Sequence, residues 1–265
     1  MSNLITIDQI QYLFTFPFKE EGWQRKLLIG LALYVAGFIV PLIPWIFVMG
    51  YTARIIEQVI KDDEYRLPDW DDWGNYFMNG LRLTALSFVV VLPFLLLMGL
   101  TYIFMFSPLF VSVFTAPTYG RDVAQPMFFT WMLGWAGAML TMGVGVFLTV
   151  LLGLFFPAAM SHLIAEDQFA AAFRVKEWWP IFKANIWGYV IAYILLLGTL
   201  YMTMFAVQLF YMTIVFCCLI PFVFGGVGIY TGVFMGAVFG QTYRVGRQKI
   251  GMDAHKDEKG EKKKS

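Results

Sequence analysis

Charge is what this sequence has least of, and its distribution is more informative than its amount. Asp, Glu, Lys and Arg make up 14% of the 265 residues, while 59% are hydrophobic. A soluble globular domain carries about a quarter charged residues. Mean hydropathy is +0.67. No Asp, Glu, Lys or Arg occurs in Leu83–Gly120, Val123–Ala165 or Ile186–Tyr243. Each run exceeds the ~20 apolar residues that cross a bilayer core of about 30 Å. In water such a chain would expose apolar patches large enough to drive aggregation. Lipid is the solvent that fits, and the expected fold is an all-α integral membrane protein.

Other shortages exclude chemistry. The two cysteines, Cys217 and Cys218, are adjacent in an apolar run. They make neither a disulfide framework nor a CxxC site. Of the two histidines, His162 lies four residues from Glu166 on one helix face, but His255 is far along the chain and a metal site needs more ligands. Ser161 and His162 are neighbours on a helix and do not face each other, so they are no nucleophile–base pair. The carboxylates between Asp62 and Asp72 match no cation-loop spacing and read as solvated charge. No phosphate-cradling glycine loop occurs, and Gly225-Gly226-Val227-Gly228 lies in a hydrophobic span. The expectation is a non-enzymatic chain with no catalytic residue, no cofactor and no metal. Its basic residues are too few and too dispersed to footprint a nucleic acid. Ion-coupled carriers keep ionisable groups within the membrane. These spans offer only Gln208 and scattered Ser, Thr and Tyr, which argues against a proton-driven pump.

The residues that are present organise the chain into about four full transmembrane helices. Leu83–Phe106, Phe128–Phe156 and two spans within Ile186–Tyr243 supply them, the last pair turning somewhere around Gln208–Cys218. Ser107–Met127 reads as a far-side loop holding Arg121 and Asp122, and Pro157 as a helix breaker. Asn3–Phe16 is too short and polar to span and reads as an interfacial amphipathic helix. Leu27–Ile60 contains Pro41 and Pro44. It forms either one kinked span or a short hairpin, Leu27–Val40 and Trp45–Ile60, with legs of about 21–24 Å. Met1–Phe18 lacks the basic start and cleavage site of a signal peptide, so the first long apolar run serves as the insertion signal.

Two charged elbows separate these pieces. In the first, Pro68, Asp69, Trp70, Asp71, Asp72 and Trp73 form an acidic, indole-rich signature. Pro68 and Asp69 are suited to a helix start. Trp70, Trp73, Phe77 and Leu81 recur at spacings of three and four, which places them on one face of an interfacial helix. The second elbow, Glu166–Ala184, interleaves Phe169, Phe173, Trp178, Trp179 and Phe182 with Arg174, Lys176, Glu177 and Lys183. Residues 1–248 read as a single polytopic membrane domain. Residues 249–265 form a charged, disordered tail.

With the hairpin, 18 of the 19 basic residues fall on one side, and Arg121 alone on the other. Basic loops stay in the cytoplasm. The expected location is the cell membrane, with both termini cytoplasmic. A single kinked span would move Lys19, Arg25 and Lys26 outside, so the charge count favours the hairpin.

Small residues recur every four positions in two spans: Gly137, Thr141, Gly145, Thr149 and Gly153, and Gly228, Gly232, Gly236 and Gly240. This period makes one ridge along a helix, where backbones approach closely and pack without hydrophobic drive. The ridges serve contacts within the chain or with a second copy.

The segments FPFKEEGWQRKLLIG, GYTARIIEQVI and LPDWDDWGNYFMNGLRL, with the second elbow FPAAMSHLIAEDQFAAAFRVKEWWPIF, resemble a family of prokaryotic membrane proteins. That family is known only as a domain of unknown function, four-thousand-and-thirteen in its series. The likeness covers roughly residues 14–245, and LPDWDDW is its most specific part. The resemblance implies a polytopic membrane fold and no functional residue. The leading expectation is an accessory or scaffolding component with membrane lipids, and other membrane proteins or a second copy, as partners. The alternative is a permease-like channel or carrier for an uncharged or lipidic solute, lined by the broken hairpin. A membrane enzyme comes third.

Overall fold

The computed structural model describes residues 7–119, 124–212 and 219–251. Among the described residues every regular element is helical and no strand occurs. The short helix α1 (Ile7–Thr15) leads through a 3-10 turn to α2 (Trp23–Ile39) and α3 (Ile43–Lys61). The long helices α4 (Trp73–Tyr119) and α5 (Ala124–Glu166) follow. A second 3-10 turn, Phe169–Phe173, precedes α6 (Val175–Ala184), α7 (Ile186–Met212) and α8 (Ile220–Lys249). Among the described residues four helices, α4, α5, α7 and α8, are long and apolar enough to cross a membrane.

The proline-broken segment is a hairpin. Gly22, at φ 73°, admits the left-handed backbone that turns the chain into α2. At the tip, the Ile43 N–H donates to the Pro41 carbonyl at 3.1 Å across Leu42, which sits at φ 75° and ψ −58°. This is a γ-turn of the rare, strained hand. Pro44 lies in the first turn of α3, where its missing N–H would have no intrahelical partner. The legs have 17 and 19 residues, about 26 and 29 Å at 1.5 Å per residue. They are longer than expected because α2 starts at Trp23, so its first turns carry charge as well as apolar residues.

The described residues form two compact units, one up to Leu86 and from Leu154 on, the other Ser87–Gly153. In the first unit α8 is central. Gly30 of α2 faces Ile229, and Gly225 and Gly228 face Leu31 and Tyr34, so α2 runs antiparallel to α8. Gly232 and Gly236 lie against Thr52, and Gly240 against Val59 and the Ile56 carbonyl, so α3 runs parallel to it. A Cβ at Gly240 would sit 2.9 Å from Val59, closer than real contacts allow. Helix α1 joins the same surface: the Tyr230 hydroxyl donates to the Phe14 carbonyl at 2.8 Å, and Phe14 packs on Phe234 with centroids 4.1 Å apart. Two isolated glycines, Gly50 and Gly80, bring α3 and α4 backbone to backbone. A Cβ on either would overlap a carbonyl of the other helix, Tyr76 in one case and Ile46 in the other.

The second unit is an antiparallel pair. Gly134 meets Phe104 and Pro108, Gly137 meets the Phe104 ring, and Gly145 meets Phe94 and Leu97. Thr141 and Thr101 share a hydrogen bond of 2.7 Å, while Thr141 also donates back to Gly137 O at 2.9 Å. Thr149 bonds Gly145 O at 2.8 Å. Gly153, at the end of that ridge, is half-buried.

Three expected boundaries move. The far-side loop is helical from Ser107 to Tyr119 and again from Ala124, while Arg121 and Asp122 lie outside the described residues. Pro157 does not break α5, which continues to Glu166. A freed carbonyl in a packed membrane helix finds substitute partners, so the rule for water-exposed helices does not carry over. Residues 62–72 are not helical, and the first elbow's helix is the start of α4 at Trp73. Most of the predicted α7–α8 turn, Cys217 and Cys218 included, and the tail from Met252 lie outside the described residues.

Candidate functional site

The acidic signature is a clamp rather than a helix. Lys26, on the first turn of α2, donates to Glu20 Oε1 and to the Leu67 carbonyl, both at 2.6 Å, and pairs with Asp69 at 3.2 Å. Glu20 accepts in turn from the Leu67 N–H. One ammonium and one carboxylate therefore hold the loop to the entry of α2. Trp70 lies flat on Tyr51, with centroids 4.3 Å apart and planes within 9°, and its indole N–H donates to the Lys26 carbonyl at 2.9 Å. The buried Tyr51 hydroxyl donates to the Pro68 carbonyl at 3.0 Å, and the Tyr76 hydroxyl donates to the Asp69 carbonyl. Trp70 and Pro68 thus face protein. Of the two indoles expected on one outward face, only Trp73 is exposed.

The helix start belongs to Asp72, not to Asp69. Asp72 Oδ1 accepts from the Asn75 N–H at 3.3 Å, two residues inside α4, which satisfies a donor that the helix leaves open. Asp69 is occupied by Lys26 instead. Asp71 and Asp72 line a polar pocket of about 380 Å³ with Arg54, Glu57 and Lys61 of α3, Arg82 of α4 and Asp167. Its cations are matched internally: Glu57 takes Arg54 at 2.8 Å and Lys61 at 2.6 Å, and Arg82 pairs with Asp167. No group of three or more His, Cys, Asp or Glu side chains placed to hold a metal ion occurs among the described residues.

A second polar cluster was not legible in the sequence. His162 is buried where α5, α6 and α8 converge. Its Nε2 lies 3.1 Å from Glu177 Oε2 and its Nδ1 2.7 Å from the Tyr243 hydroxyl. Glu177 only accepts, so Nε2 is the donor in that bond, and Nδ1 meets the Tyr243 hydroxyl. The partner is Glu177, fifteen residues on, and not Glu166. The His162 hydrogen bond, seconded by Arg174, holds the Glu177 carboxyl below its ordinary range. Asn185 extends the cluster, donating to the Thr242 carbonyl at 3.0 Å and accepting from Lys249 at 2.9 Å. These bonds tie α6 and the start of α7 to α8. Their separations of 15 to 81 residues leave no local pattern to read.

Long apolar helices joined at one end by ion-paired loops define a polytopic helical membrane protein. A family model described as protein of unknown function, DUF4013, matches residues 33–212. The chain belongs to this family. The match takes in GYTARIIEQVI, LPDWDDW and the second elbow, while FPFKEEGWQRKLLIG precedes it. No curated protein and no solved structure matches the chain.

Proposed function

We propose that the chain is a non-enzymatic component of the cell membrane, an accessory or scaffolding subunit acting through lipid and helix contacts. What carries this reading is an imbalance in burial. Only 11% of the residues in the most apolar stretch of α4, α5 and α7 are covered by the rest of the chain, against 50% in α8. Few side chains in these stretches are therefore fully buried by the chain itself. The small-residue ridge of α8, by contrast, is taken up by α2 and α3. The polar side chains described above hold elements together, as a support would require.

The charge distribution supports an orientation for this scaffold. With the hairpin, all basic residues but Arg121 share one side, and we assign that side, with both termini, to the cytoplasm. Single cysteines at Asn3 and Gly260, in a background lacking Cys217 and Cys218, should both resist an impermeant thiol reagent in intact cells. Labelling of either would overturn the orientation. For the activity, the full chain in liposomes should leave the permeability to water and glycerol at that of empty vesicles. A flux that scales with protein content would replace the scaffold reading by a channel or carrier.

A further inference from the structure

Helix α6 divides its side chains sharply. Trp178, Ile181 and Phe182 point inward, with Trp178 6% exposed and its indole N–H bonded to the Ala172 carbonyl at 3.0 Å. The opposite stripe is Lys176, Trp179, Pro180 and Lys183, at spacings of three, four and seven, and all four are exposed. Trp179 is 36% exposed, and the Lys183 ammonium lies over its ring at 5.3 Å. Neither lysine has a carboxylate partner among the described residues. The nearby acid, Glu177, is committed to His162 and Arg174.

The spanning helix α5 ends at Glu166 and the spanning helix α7 begins at Ile186, so α6 joins two spans on one side, and the membrane reading places it at the headgroup layer. Indoles favour that layer. Next to the stripe, Phe173, Val175, Ile186 and Trp187 are exposed as well. The face therefore combines an apolar bed with two unmatched cations about 10 Å apart along the axis. The first elbow shows the reverse charge, with Asp69, Asp71 and Asp72 exposed beside Trp73.

We propose that the Lys176–Trp179–Lys183 stripe is a binding surface for anionic phospholipid, with a lysine on either side of the indole to take headgroup phosphates. This rests on the membrane reading above and adds a lipid class to it. Zwitterionic lipid would satisfy the indole but brings its own cation to the phosphate, leaving the two ammoniums unmatched.

The test uses the full chain in a non-ionic detergent, with phosphatidylglycerol or phosphatidylcholine added. Thermal unfolding and native mass spectrometry read the binding. Phosphatidylglycerol should raise the melting temperature and persist as bound adducts. Lys176→Gln with Lys183→Gln should weaken its affinity about 30-fold, or about 2 kcal/mol, in line with the usual effect of two surface cations. The Arg pair should restore it. High salt should erase the preference in the wild-type chain, a readout that does not depend on any variant folding. Equal effects of phosphatidylcholine, or full affinity in the Gln pair, would overturn the proposal. So would an inorganic phosphate effect as large as that of the lipid, which would mean a phosphate site only. Carbonate extraction keeps the two readings apart. A chain that stays in the bilayer yet shows no headgroup preference refutes only this proposal, whereas one that is extracted refutes the membrane reading itself.

Discussion

Glycine to alanine should have opposite signs at two positions of one helix. Gly80 and Gly99 both lie in α4, so the intrinsic effect of removing a glycine is the same. Alanine is favoured in a helix by about 1 kcal/mol. A Cβ at Gly99 meets nothing within 4 Å, while at Gly80 it would overlap the Ile46 carbonyl and press on the Gly50 N–H. A carbonyl in a helix cannot rotate aside as a long side chain can, so α3 and α4 must part. Overpacking costs about 1–3 kcal/mol, and a backbone neighbour belongs at the upper end. Gly99→Ala should therefore stabilise by up to about 1 kcal/mol, and Gly80→Ala should destabilise by a net ~1–2 kcal/mol. At about 2–4 °C per kcal/mol for a chain of this size, the two melting temperatures should differ by roughly 4–12 °C. The nine tryptophans allow the transition to be followed by intrinsic fluorescence in detergent. Equal shifts for the two variants would show that the close approach of α3 and α4 does not govern the packing.

Asp71→Asn with Asp72→Asn should cost only tenths of a kcal/mol, since exposed charges contribute little and Asn can still cap α4. Trp70→Ala should cost about 2–4 kcal/mol through the lost Tyr51 stack, by chemical denaturation of the same samples; a costlier Asn pair would mean the two charges, and not the indole, hold the loop. Tyr51→Phe leaves the Pro68 carbonyl unpaired in a buried place and should cost about 1–2 kcal/mol, measured alike, with no change in helix content by circular dichroism. The lowered Glu177 carboxyl sets an acid limb. Its contribution is complete above its ordinary value of 4.5 and is lost as pH falls below it. Melting temperatures of wild type and Glu177→Gln should thus converge on acidification below that point, and a gap that widens there would contradict the sign.

The spans were plain in the sequence because charge cannot be carried cheaply into lipid, and runs such as Ile186–Tyr243 are long enough to need no periodicity. The hairpin was an even choice on its prolines, since Pro41 and Pro44 suit a kink or a turn; charge counting favoured the turn. The signature loop differs from its expected helix for a reason that a single sequence cannot remove. Trp70, Trp73, Phe77 and Leu81 have helical spacing, yet Trp70 precedes the helix and stacks on Tyr51, nineteen residues upstream. Spacing reports that a face exists and not what covers it. Gly50 and Gly80 carry no sequence signal because each stands alone, whereas the α8 glycines announce themselves by repetition. The pairing of His162 with Glu177 and Tyr243 depends on which helices meet, and that is decided only by the assembled fold.

The central place of α8 has a consequence for how the protein is made. Its partners α1, α2 and α3 leave the ribosome well before α8 does. At 5–20 residues per second the wait between Lys61 and Lys249 is about 10–40 s. Throughout that interval the hairpin carries faces shaped for a helix that does not yet exist, including Gly30, Tyr34 and Thr52. Until then only lipid or another protein can cover those faces, and a nascent chain stopped before Ile220 would leave α2 and α3 without the helix they pack on. A quality-control factor that recognised unpaired small-residue faces would therefore have a defined window here, closing when α8 arrives.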